Sequence, residues 1–181
     1  MFISEEKADI VCISEHFLKE FEFKIVKLLD YKNASAFCRK TQKCGGVCIF
    51  VKQNMEFLPI DVSLFSEESI IELAAIKIIP KNVNPITILI VYRIPKNNHN
   101  LFFKKLFDCL NFLVKDYSTK IVVIGDFNID FLINSSYKTQ LINSTSCFGL
   151  ISKINTCTRE FKHSKTLIDN IFTNINSELH M

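Results

Sequence analysis

Every strongly apolar run in this chain is short. Ile86–Val91 and Ile121–Ile124 are strand-sized, far below the ~18–20 residues that a membrane-spanning helix needs. A polypeptide punctuated in this way has to bury its hydrophobic surface by packing short elements on one another. Its 181 residues are enough for a core of their own, and residues 1–181 are expected to form one domain. With 48% hydrophobic and 23% charged residues, no half of the chain has the composition of a disordered segment.

The order of elements is mixed. Ala8–Ser14 reads as a buried strand, and Glu20–Leu29 as a short helix or an irregular excursion. Ala34–Arg39 and Gly46–Val51 flank the turn-rich Lys43-Cys44-Gly45 and form a hairpin pattern. A second strand pair, Ile70–Ile79 and Ile86–Tyr92, is joined by a turn from Pro80 to Pro85. Leu101–Leu113 has apolar residues at helical spacing, with Asn100 as the expected N-cap. A strand over Lys120–Ile124, a helix over Tyr137–Cys147 stopped by Gly149, and a last strand over Ile168–Thr173 complete the series. Hairpins interleaved with helices predict an α/β sandwich with mixed sheets.

Charge and cysteine usage narrow the setting. A net charge of +3 is compatible with nucleic acid only if the 22 Lys and Arg residues cluster on one face. Lys24, Lys27, Lys32, Arg39, Lys40 and Lys43 gather before the Gly pair, where a solvated surface is the simpler expectation. Seven cysteines, an odd number without framework spacing, point to reduced thiols. Cys44 and Cys48 resemble half a zinc site, but no second pair follows, so both are expected to be buried free thiols. Glu5, Glu6 and Asp9 replace the basic start of a signal peptide. The expected setting is intracellular, without a membrane partner.

Several strands end in residues that can do chemistry. The run Lys120–Ile124 leads into Gly125-Asp126-Phe127-Asn128, read as a buried strand that breaks into a turn at Gly125. Side chains two apart on an extended segment share a face, so Asp126 and Asn128 are expected side by side at the strand's carboxyl end. The same residues also suit a plain Asx turn. Glu15 follows the first strand, where one carboxylate plus water can hold a hard cation such as Mg²⁺. Tyr92 and Arg93 end another strand and together could hold a phosphodiester. Asp169-Asn170 opens the last strand.

Taken together and in order, these segments are more specific than any one of them. Ala-Asp-Ile-Val-Cys-Ile-Ser-Glu-His-Phe-Leu (8–18), Gly-Gly-Val-Cys-Ile-Phe-Val (45–51), Val-Tyr-Arg-Ile-Pro (91–95), Ile-Gly-Asp-Phe-Asn (124–128), Thr-Arg (158–159) and Leu-Ile-Asp-Asn-Ile-Phe-Thr-Asn (167–174) are the segments concerned. The chain resembles the endonuclease/exonuclease/phosphatase family along essentially its whole length. Within it, the wording is similar to the endonuclease domain of non-LTR (LINE-type, jockey-like) retrotransposons. The resemblance implies a DNase I-like four-layer α/β sandwich, with two mixed β-sheets packed together and flanked by helices. It also implies Mg²⁺ (or Mn²⁺) at Glu15, Tyr92 on the scissile phosphate, Asp126 on the attacking water and Asn128 on the phosphoryl oxygens. Asp169 matches the acid that orients a catalytic histidine. DNA would be the substrate, the nucleus the place of action on chromosomal DNA, and a reverse transcriptase the covalent neighbour in a parent element.

Two departures qualify the likeness. The family's first strand carries an active-site Asn, yet only Met1–Lys7 precede the Glu15 strand and they contain none. No Asp-His pair occurs anywhere, so the family's closing Ser-Asp-His is missing; His163 and His180 do not replace it. The expectation is a domain incomplete at both termini, with weak or no hydrolysis. The alternative is an inactive retroelement-derived remnant or nucleic-acid-binding module of the same fold. A phosphatase of the same superfamily fits the motif wording less well.

Overall fold

The computed structural model describes residues 8–42, 44–162 and 164–175. In chain order these form β1 (Ile10–Ser14), α1 (Glu20–Ile25), β2 (Tyr31–Phe37), β3 (Val47–Lys52), β4 (Phe57–Ile60), β5 (Ile71–Ile78), β6 (Ile86–Arg93), α2 (His99–Leu113), β7 (Lys120–Asp126), α3 (Ser136–Ser146), β8 (Ile151–Ser152), β9 (Arg159–Phe161), β10 (Ser164–Thr166) and β11 (Asp169–Thr173). A three-stranded antiparallel sheet has the order β1-β3-β2. A six-stranded sheet has the order β4-β5-β6-β7-β11-β8 and is mixed, because β6 and β7 run parallel across the α2 crossover. Strands β9 and β10 form a separate small hairpin.

Two-residue periodicity builds the layers. Along β5, β6 and β7 the odd positions (Ile71, Leu73, Leu89, Val91, Ile121, Val123) pack with Phe102, Leu106 and Leu110 of α2. The even positions (Ala74, Ile76, Ile88, Ile90) meet Val47, Ile49 and Val51 of β3. The far face of the small sheet, with Cys48 and Phe50, is covered by Phe23 of α1. The stack is therefore helix, small sheet, large sheet, helices. Each fully buried Leu or Ile in it contributes roughly 1.5–3 kcal/mol over an exposed one. No helix among the described residues is long and apolar enough to cross a membrane.

Most sequence-derived elements stand, with four corrections. Helix α2 starts at His99 with Asn98 as its cap, its side chain accepting from the Leu101 N–H at 3.1 Å, so Asn100 is helical and not the N-cap. Strand β7 does not break at Gly125 but stays paired through Asp126. A Cβ on Gly125 would run into the Val91 carbonyl of the neighbouring parallel strand, which is why only Gly fits there. Cys44 is exposed and only Cys48 of that pair is buried. Lys24, Lys32 and Lys40 are exposed as a solvated face requires, but Arg39 is turned inward. Lys43, His163 and His180 lie outside the described residues.

Candidate active site

Register places the site. In the large sheet Glu72 of β5 lies opposite Tyr92 of β6, Tyr92 opposite Asp126 of β7, and Asp126 opposite Asp169 of β11. Four neighbouring strands thus present one row of polar side chains, at the end of the sheet where β6 and β7 finish. Tyr92 and Asp126 follow the even positions that face the small sheet, so the row opens into the crevice between sheets.

The small sheet supplies Glu15, the residue after β1. The Tyr92 hydroxyl donates to its carboxylate at 2.7 Å, which brings the two sheets' contributions into contact. Glu15 takes a left-handed backbone with φ 56, and Phe17 does the same with φ 61. Such conformations are uncommon for side chains with a Cβ and persist only where neighbours hold them. His16 between them accepts the Leu18 N–H on Nδ1 at 2.9 Å, which leaves Nε2 to donate to the Phe37 carbonyl at 3.2 Å. The His of the Ser-Glu-His segment therefore braces the turn that carries Glu15.

Asp126 and Asn128 do meet, but not by strand alternation. Asn128 lies past the strand in a left-handed turn with φ 47, and its N–H donates to Asp126 Oδ1 at 2.8 Å. The Asx turn and the pairing of acid with amide are the same structure. Asn128 Nδ2 gives one hydrogen to the Arg93 carbonyl at 2.7 Å, and an amide has a second. Arg93 returns the contact, Nη1 donating to the Asn128 carbonyl at 3.0 Å and Nη2 bonding His99 Nδ1 at 2.8 Å. Arg93 as a whole is 2% exposed. Pairing Arg93 with Tyr92 as a phosphodiester clamp is therefore corrected: consecutive strand residues point to opposite faces, and Arg93 faces the helices.

Asp169 is anchored through its backbone. Thr158 Oγ1 accepts the N–H groups of Ile168 and Asp169 at 3.3 and 3.2 Å, which gives the Thr-Arg segment a structural role. The next residue, Arg159, begins β9. With Asn128, Phe161, Ser164, Thr166 and Ile168 it lines an open pocket of about 280 Å³ beside the row.

Electrostatics set this end apart. The Asp126 carboxyl is pushed up to about 6, first by burial and then by the charges of Asp169 and Glu15, while the Asn128 N–H and Arg159 pull the other way. The Tyr92 phenol is raised too, by burial and then by Glu15, so it stays a donor at neutral pH. Among the described residues no group of three or more His, Cys, Asp or Glu is arranged as a metal cage. Mg²⁺ requires no such cage, because one or two carboxylates plus water suffice. An excess of carboxylate charge around a half-open acid is the donor chemistry that a hard cation fits.

Sequence reading missed one member, Glu72, and placed its partner Arg39 on the surface. Glu72, fully buried in β5, is ion-paired with Arg39. A lone acid in the run Ile70–Ile79, apolar apart from it and the exposed Lys77, was the available signal, since a buried charge demands a partner.

No family model matches the chain, and no curated protein sequence does. Solved structures do. ANGEL2, a 2′,3′-cyclic phosphatase, matches with a TM-score of 0.67 at 16% identity, over 94% of this chain and 70% of that one. An endonuclease/exonuclease/phosphatase family protein from Leptotrichia buccalis matches with a TM-score of 0.62 at 15% identity, over 96% and 78%. D. rerio TDP2, complexed with a single-strand DNA product, matches with a TM-score of 0.60 at 12% identity, over 95% and 73%. The chain has the DNase I-like endonuclease/exonuclease/phosphatase fold. At these identities the fold is what is shared.

Proposed function

We propose that the chain is a metal-dependent phosphodiesterase of the DNA-nicking type carried by non-LTR retrotransposons, with weak turnover because its residues include neither the family's first-strand Asn nor its Asp-His pair. The observation that carries this reading is the row Tyr92–Asp126–Asp169 with Glu15 brought to it from the other sheet. The retrotransposon lineage rests on the wording of the six sequence segments. DNA as substrate is supported by D. rerio TDP2, a fold neighbour solved with a single-strand DNA product.

Glu15 would hold Mg²⁺ or Mn²⁺; when bound, the ion supplies Lewis-acid stabilisation of charge on the phosphoryl oxygens. The protein's own groups do the rest. Asp126 orients the attacking water and accepts its proton, the role of a general base. Asp169 acts on Asp126 by holding its proton affinity up. The free N–H of Asn128 donates to a non-bridging oxygen, where a fixed donor lowers the barrier most; the Tyr92 hydroxyl, which has one proton and gives it to Glu15 here, can turn to another once a cation occupies Glu15. Arg159, Ser164 and Thr166 offer cationic and hydroxyl contacts to the flanking backbone phosphates.

Bis(p-nitrophenyl) phosphate, p-nitrophenyl phosphate and supercoiled plasmid, each with Mg²⁺, Mn²⁺ or EDTA, separate the readings. Metal-dependent turnover of the diester and the plasmid, lost in Asp126→Ala, is the expected result. Turnover of the monoester alone would replace the nuclease with a phosphatase. Retention of DNA without cleavage under any metal would leave a binding module of the same fold.

A further inference from the structure

Glu72 stands in the same lateral row as Tyr92 but does not open to solvent. Its fully buried carboxylate is ion-paired with Arg39 and accepts the Gly46 N–H at 2.6 Å. Both partners belong to the segment between β2 and β3, so one carboxylate of the large sheet grips a turn of the small sheet. That turn is tightly filled. Gly45 and Gly46 have φ +110 and +91, and a Cβ on either would strike the Arg39 guanidinium or the His16 ring. The turn's carbonyls then face the Glu15 segment. Gly45 O accepts the Phe17 N–H at 2.9 Å and Gly46 O accepts the His16 N–H at 3.4 Å. Glu15 and Phe17 are the left-handed residues of that segment, and the Glu15 carboxylate ends at the Tyr92 hydroxyl.

We propose that the Glu72–Arg39 pair is a positioning unit for Glu15, holding the Gly45–Gly46 turn and, through its carbonyls, the left-handed segment that aims Glu15 at Tyr92. It rests on the reading of Glu15 as the ligand of the proposed metal. The path is continuous: Glu72 fixes Arg39 and the Gly46 N–H, the turn fixes His16 and Phe17, and these fix Glu15. A contact across two sheets is also the only kind that can set the distance between Glu15 and a row that belongs to the opposite sheet. Neither Glu72 nor Arg39 touches the reacting atoms, and their effect appears in the metal requirement. Groups that orient a ligand from behind typically change metal affinity or activity by ~10–100-fold when removed.

The test uses the full chain with two readouts, amide hydrogen exchange and Mn²⁺ binding followed by electron paramagnetic resonance. Glu72→Gln keeps an acceptor for Gly46 but weakens the hold on Arg39. Exchange at the His16 and Phe17 amides should accelerate at least about tenfold while β3 amides are unchanged. Mn²⁺ affinity should fall ~10–100-fold, with the KM for a phosphodiester unchanged at saturating metal. Should Glu72→Gln unfold the chain, the double variant Arg39→Met/Glu72→Met, which leaves no buried charge unmatched, carries the same measurement. A lower melting temperature with the relative protection of His16 and Phe17 and the Mn²⁺ affinity both unchanged would overturn the proposal. Glu15→Gln serves as the reference: it should abolish Mn²⁺ binding and leave exchange alone. If wild type binds no Mn²⁺ yet the exchange effect is present, the metal reading of Glu15 fails while the brace stands.

Discussion

Three parallel rows cross the large sheet on its crevice face, and they differ sharply in chemistry. The terminal row is Glu72–Tyr92–Asp126–Asp169; two residues further in, the same four strands carry Ala74–Ile90–Ile124–Ile171; two further still come Ile76–Ile88–Val122–Thr173. Backbone pairing is the same in all three. The β5, β6 and β7 members of the inner rows close against the small sheet as hydrophobic core, whereas the terminal row places three acids and a phenol side by side. Carboxylates brought together raise one another's proton affinity at the expense of stability. The fold therefore tolerates at one end what it rejects elsewhere, which is the pattern of a site built for charge that arrives from outside.

The comparison can be broken most forcefully by moving an acid inward. Ile90→Asp buries an unpaired carboxylate at a position that is 1% exposed and should cost more than ~4 kcal/mol, read as a large drop in the urea midpoint. Truncation there is next: Ile90→Ala should cost ~2–5 kcal/mol through lost burial and the cavity left behind, read as a lower urea midpoint with an unchanged slope.

Changes in the terminal row should run the other way. The Asp126 carboxyl sits at about 6 against an ordinary 3.8. Between those values the folded chain keeps a proton that the unfolded chain has released, so stability falls as pH rises through that window and stays low above it. Asp126→Asn keeps the acceptor for the Asn128 N–H and avoids the ionised form. At pH 7.5 without metal it should raise the melting temperature by about 2–4 °C, roughly 1 kcal/mol for a chain of this size. The gain should vanish by pH 3.5, and a pH-independent gain would show that charge is not its cause. Opposite in sign and of similar size is Tyr92→Phe, which removes one hydrogen bond to Glu15. It should change stability by only ~0.5–1.5 kcal/mol in thermal unfolding.

Much of this was legible in the sequence, for identifiable reasons. β-Branched runs such as Ile86–Val91 announce strands, and the polar residues that end them mark the site because strand ends are where a sheet opens. Strand β4, whose Pro59 argues against a strand, two-residue β8, and the exposed β9–β10 hairpin, which lacks an apolar run, were not foreseen. Arg93 was misread because its neighbour Tyr92 suggested joint use, while pleating sends the two to opposite faces. Pairing of Glu72 with Arg39 spans 33 residues and two sheets. No local pattern reports such a contact; only the acid's presence in an apolar strand hints that one must exist.

The most direct measurement is the initial rate of supercoiled-plasmid nicking as Mg²⁺ is titrated, for wild type and Asp126→Asn at equal folded fraction. The account predicts saturable, Mg²⁺-dependent nicking that the variant lowers by ~10²–10⁴-fold, although the variant is the more stable protein. Nicking at the same rate in both, or in neither at any Mg²⁺ concentration, would contradict it.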